Sequence, residues 1–162
     1  MITMPQTIRY AAEAPCHVPF RPELPVELAT MQDRLGTLMD EIKRRCRDGG
    51  NGEIAAALGA LDRTMAQYLI DEGVQFEPYM RIALEGDLET LQLMRRLRAR
   101  LRELARELHE VADLGARGHG ARARMIVADA MERIGGELAL CLEHQRTLLF
   151  PLYRPLARAL PG

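Results

Sequence analysis

An all-α domain folded as an antiparallel up-down four-helix bundle is what three features of this chain predict. The composition favours helix: Ala, Leu, Met, Arg and Glu dominate, β-branched residues are sparse, and aromatics make up only 4%. Apolar residues recur three and four apart over four long stretches, the period of one buried helical face. Glycine- or proline-marked turns separate those stretches, and short connections between amphipathic helices suit a bundle. At 162 residues the chain is long enough for one domain with a real core.

Residues 1–24 carry Pro5, Pro15, Pro19 and Pro22 with little periodicity and read as a proline-rich arm; residues 25–162 read as the bundle. The first helix is expected from Pro25 to about Arg47, with Leu28, Met31, Leu35, Leu38, Met39 and Ile42 as its stripe and DGGNG as its stop. The second is expected from Glu53 to Asp71 on Ile54, Leu58, Leu61, Met65, Tyr68 and Leu69, continuing past Gly73 with a kink near Pro78. The third spans Asp87 to Leu114, with Leu93, Leu97, Leu101, Leu104, Leu108 and Val111 inward, and GARGHG ends it. The fourth runs from Ala121 to Phe150, with a short continuation carrying Pro151 and Pro155.

A net charge of −1 gives no general attraction to nucleic acid or to an anionic membrane, and no apolar run approaches the roughly 18 residues of a membrane span. Three cysteines without CxxC spacing point to free thiols in a reducing cytoplasm, and the N-terminus has no secretion signal.

The chain repeats itself. LDRTMAQYLIDEGVQFEPYMR lies over IGGELALCLEHQRTLLFPLYR when Pro78 is matched to Pro151, which lies 73 residues later. Leu61 then meets Ile134, Met65 meets Leu138, Leu69 meets Leu142, Phe76 meets Leu149, and Arg81 meets Arg154. Helices two and four are thus expected to follow one template, each ending in an apolar element with a proline and a distal arginine.

QFEPYM and LLFPLY, closing alternate helices of a bundle, resemble the hemerythrin-like (HHE cation-binding) domain family over residues 25–157. That resemblance implies a His-x-x-x-Glu pair upstream of each proline, holding two irons between the helices. Counting back from Pro78 places the pair on Tyr68 and Glu72; counting back from Pro151 places it on Cys141 and Gln145. The family's first-helix histidine falls near Gln32, between Leu28 and Leu35, and its third-helix histidine has no clear counterpart, with only Asp87 and Thr90 in the region. Among these positions only Glu72 keeps a hard oxygen ligand, and one carboxylate without histidine cannot hold two irons.

Two expectations follow for the interior. Tyr68, Gln32 and Gln145 would hydrogen-bond to Glu72 as a polar seam, since buried polar groups need partners. Alternatively, a site for iron or another divalent metal would be rebuilt around Glu72, Tyr68, Cys141 and Gln145, with His144 three residues after Cys141. His17, His109 and His119 suggest no constellation of their own, no nucleophile–base triad or phosphate loop occurs, and no enzymatic activity is expected.

Arg95, Arg98, Arg102 and Arg106 share one face of the third helix, with Glu103, Glu107 and Glu110 nearby. They are expected to form a solvated, self-paired face, or else a docking surface for an acidic protein partner. Nucleic acid is not expected there, because no aromatics interleave the arginines. A weaker similarity, carried by QYLIDEGV, FEPYMRI and ALCLEHQRTLL without that family's GHF and LED residues, links the chain to the regulator-of-sigma-D anti-sigma proteins and implies a transcription component as partner. The expected function is therefore a non-enzymatic regulatory or protein-binding bundle that has lost its di-iron site. A metal-binding or redox- or oxygen-sensing protein, or an anti-sigma-like regulator, is the alternative.

Overall fold

The computed structural model describes residues 18–118 and 120–156, and these are helical with no strand among them. α1 spans Leu24–Asp48, α2 Asn51–Asp71, α3 Glu77–Ala83, α4 Leu88–Arg117 and α5 Ala121–His144. A π-helical turn, Glu72–Phe76, joins α2 to α3, and a second, Gln145–Leu149, joins α5 to a 3₁₀ turn at Phe150–Leu152. The chain thus makes four rods. Each packs on its neighbours in sequence and the first packs on the last, so the rods close a ring around one core.

Local chemistry sets the ends. Pro25 lies in the first turn of α1, where a missing N–H costs nothing. Asp87 caps α4, its Oδ1 accepting from the Thr90 N–H at 3.1 Å. Gly86, at φ 93°, takes the left-handed conformation that the turn before that cap requires.

The expected stripes are buried with one shift of emphasis. Leu24, Leu28, Leu35, Met39 and Ile42 of α1 and Met94, Leu97, Leu101, Leu104 and Leu108 of α4 are core, while Met31, Leu38, Leu69, Leu93 and Val111 are only partly covered. The duplicated register holds at eight positions, though Leu69 is only partly covered where Leu142 is buried. Ile54, Leu58, Leu61, Met65, Tyr68, Glu72, Phe76 and Met80 are all buried, and so are the residues 73 positions later: Val127, Met131, Ile134, Leu138, Cys141, Gln145, Leu149 and Tyr153. The two π turns obey the same offset.

That offset resolves the prolines. Pro78 does not interrupt a continuous α-helix as expected; it stands in the first turn of α3, after the π turn has ended the preceding hydrogen-bond register. Pro151 likewise opens the 3₁₀ turn after the second π turn.

Most of the expected arm, residues 1–17, lies outside the described residues. What is described packs tightly: Phe20 stacks on Tyr153 with centroids 5.0 Å apart and leans on Tyr79 at 5.7 Å. The Arg21 N–H donates to the Tyr153 hydroxyl at 2.9 Å, and the Leu156 N–H donates to the Tyr79 hydroxyl at 2.9 Å.

Candidate functional site: a polar centre inside the bundle

The core is apolar except at one level, where the four rods bring Gln32, Tyr68, Glu72, Glu77, Arg98 and Gln145 together. Among the described residues Gln32, Glu72, Glu77 and Gln145 are the buried polar side chains, and Tyr68 is buried with them. They fall into two clusters.

The first is neutral. The Tyr68 hydroxyl donates to Gln145 Oε1 at 2.5 Å, linking rods that face each other across the ring. Gln32 Nε2 donates to the Tyr68 oxygen at 2.9 Å and reaches Gln145 Oε1 at 3.5 Å. Gln32 Oε1 accepts from Arg146 Nε at 3.1 Å, and Arg146 is fixed in turn by the Ala29 carbonyl at 2.6 Å and Asp33 at 2.8 Å. Burial holds the Tyr68 phenol well above its ordinary range, consistent with the hydroxyl's donating to Gln145.

The second cluster is charged. Arg98 of α4 turns inward with only 16% of its side chain exposed, and its Nη1 sits 2.6 Å from Glu77 Oε2. Its Nε lies 3.5 Å from Glu72 Oε2, too far and poorly aligned for a hydrogen bond. Arg81 adds a second contact to Glu77 at 2.6 Å. Glu72 is fully buried, and neither of its oxygens has a hydrogen-bond partner. Desolvation therefore pushes its carboxyl up to about 7; Arg98 and Arg102 oppose the rise, and Glu77 adds to it. Gly73 leaves room for the guanidinium: a Cβ there would stand 2.5 Å from an Arg98 guanidinium nitrogen and 3.4 Å from its central carbon, so the tip of the arginine would have to shift.

The expected residues therefore separate. Gln32, Tyr68 and Gln145 form the seam, but they hydrogen-bond to one another and not to Glu72, which turns to Arg98 instead. Cys141 is buried one turn before Gln145, its thiol raised by burial, with no hydrogen bond to the cluster; His144 is half-buried and likewise makes no bond to it. The arginine face is corrected too. Arg98 leaves it for the interior, whereas Arg95, Arg102 and Arg106 stay exposed and form no ion pair among the described residues. Glu103 and Glu107 pair with Arg100 and Arg133 instead. His109, 73% exposed, meets Asp62 of α2 at 2.9 Å. Cys16, His17 and His119 lie outside the described residues.

Glu77 and Arg146 were not among the residues the sequence singled out. A signal for Glu77 existed in the repeat, which sets it opposite Phe150 and so places a charge at a template position that is otherwise apolar.

The donor set does not fit a di-iron centre. Among the described residues no imidazole reaches the polar centre, and no group of three or more His, Cys, Asp or Glu side chains is placed to hold a metal ion. The Glu72 carboxylate already faces a guanidinium. No helix among the described residues is long and apolar enough to cross a membrane. Comparison with protein-family models, with curated proteins and with solved structures found no match.

Proposed function

We propose that the chain is an antiparallel, hemerythrin-like up-down bundle that works without a di-metal centre, as a non-enzymatic regulatory or protein-binding module. The observation that carries this reading is Arg98: the cation beside Glu72 is a side chain of the protein itself, seated in a notch that Gly73 leaves open. The Gln32–Tyr68–Gln145 hydrogen bonds occupy three further candidate positions with neutral groups bonded to one another, with Gln145 Nε2 left unpartnered.

Metal analysis and an optical spectrum of protein purified without chelator test the reading. A colourless, folded protein with far less than one iron per chain is expected. Two irons per chain with an oxo-bridge or phenolate charge-transfer band would overturn it. That outcome would favour the second reading, a metal-binding or sensing site around Glu72, Tyr68, Cys141 and Gln145, to which the unpartnered Glu72 oxygens lend support.

For the partner, the exposed and unpaired Arg95, Arg102 and Arg106 offer a cationic stripe to an acidic protein surface, a transcription component included. Arg98 is excluded from that stripe by its burial. Reversing the three exposed charges should abolish co-purification of such a partner, and unchanged recovery would discard the stripe.

A further inference from the structure

α2 carries two apolar stripes. One faces the core, on Ile54, Leu58, Leu61, Met65 and Tyr68. The other faces outward at the same three- and four-residue spacing: Ala56, Gly59, Ala60, Ala66 and Ile70, then Val74 in the π turn that prolongs the rod. Arg63 is its one charge. Ile70 is 56% exposed and Val74 65%. A solvated helix face is ordinarily polar, and the repeat supplies the control. At the positions 73 residues later, α5 holds Asp129, Glu132, Arg133 and Glu143 where α2 holds Ala56, Gly59, Ala60 and Ile70, and Thr147 follows α5 where Val74 follows α2. One template thus has a charged exterior on one rod and an apolar exterior on the other.

Arginines border the outer stripe on both sides. Towards α1, Arg34 and Arg63 line one groove with Met31 and Ala60. Towards α4, the contacts of Asp62 with His109 and of Glu72 with Arg98 tie the two rods together; Ala66 and Ile70 lie between those ties on one rod, Arg102 and Arg106 on the other. All four arginines are exposed and form no ion pair among the described residues. The nearby carboxylates are engaged: Glu53 by Arg45, Asp62 by His109, and Asp71 by the Gln67 amide. We infer that the outer face of α2 is a docking surface for an amphipathic helix of another protein, one whose apolar stripe is bordered by Asp or Glu. This rests on the protein-binding reading above and names the partner's shape. Gly59 and Ala60 leave a shallow middle for the ridge of an incoming helix, and Ile70 and Val74 supply apolar area at one end. A second copy of this chain is the poorer occupant. A two-fold contact would set these arginines against one another with no free carboxylate to meet them.

The experiment titrates the full-length protein into fluorescein-labelled, hydrocarbon-stapled helical peptides of about 18 residues at about 0.15 M salt. The first peptide sets leucines three and four apart between glutamates. The second scrambles the same residues to break the stripe, and the third replaces glutamate by lysine. By fluorescence anisotropy the first should bind at least about tenfold more tightly than either of the others. Ile70→Ser combined with Val74→Ser should weaken it about tenfold or more. Leu140→Ser combined with Leu148→Ser, a comparably exposed pair on the fourth rod, should change it less than about twofold. Equal binding of the two acidic peptides, or an equal loss from the two variant pairs, overturns the inference and leaves the arginines as a purely electrostatic surface. The peptide comparison needs only the natural chain, so it decides even where a variant folds poorly. Binding of neither acidic peptide would instead defeat the inference and the cationic docking surface together, so the two failures are distinct.

Discussion

At the head of its π turn the second rod places a carboxylate, Glu72, and the fourth rod places an amide, Gln145, both fully buried and 73 residues apart in one repeated register. The residue that follows differs as well: Gly73 on one rod, Arg146 on the other. The amide is met by neutral donors from Tyr68 and Gln32, and the adjacent Arg146 reaches outward to Asp33 and the Ala29 carbonyl. The carboxylate is met by an arginine from a different helix, admitted through the gap that glycine leaves. One backbone template thus accepts either a neutral or a charged polar residue, provided that its neighbours change with it. The charged version is the less complete of the two.

Exchanging the residues breaks the comparison most sharply. Gln145→Glu would put a third buried carboxylate in the centre, with no direct ion-pair partner, and should cost about 3–5 kcal/mol in denaturant unfolding at alkaline pH. Glu72→Gln should act in the opposite direction. The Glu72 pKa is raised from 4.5 to about 7 by folding, so its contribution is most favourable below 4.5, declines as pH rises between those values, and is lost above 7. The variant should therefore gain on the natural protein across that window, by on the order of 2–3 kcal/mol at its upper end. Parallel pH–stability curves for the two proteins would refute this. Tyr68→Phe sharpens the neutral half: it removes the shortest bond to Gln145 and should cost about 1–2 kcal/mol with little pH dependence. Replacing Arg95, Arg102 and Arg106 by Glu should change unfolding by about 0.5 kcal/mol or less per site, since none of them is bonded in the fold.

What the sequence made legible was periodic or local. Helix starts at Pro25 and Asp87, the stripes on Leu28–Leu35 and Leu97–Leu108, and the 73-residue repeat all follow from spacing and from residues a few positions apart. The polar seam was legible for the same reason, because the repeat fixes where Tyr68, Glu72, Cys141 and Gln145 must sit. Arg98 was not. On its own helix it lies at the edge of the buried stripe, beside Leu97 and Leu101, and spacing groups it with the exposed arginines. Inside the bundle it meets Glu77 and, at longer range, Glu72, both more than twenty residues away in sequence. The π turns escaped for a related reason: each prolongs an apolar period by one residue, which single-helix counting attributes to the proline that follows.

The stacked rings at the end of the bundle carry a consequence for connectivity. Phe20, just ahead of α1, and Leu156, just beyond the last turn, both rest on Tyr79 or Tyr153, so the two ends of the described chain meet at one pole. A ring of four rods whose ends adjoin can be cut elsewhere. A circular permutant of residues 18–156 that joins these ends through a short flexible linker and opens the chain at Gly49–Gly50 would keep every described helix and both halves of the polar centre. For this molecule, the order in which the helices are read is separable from the way they are packed.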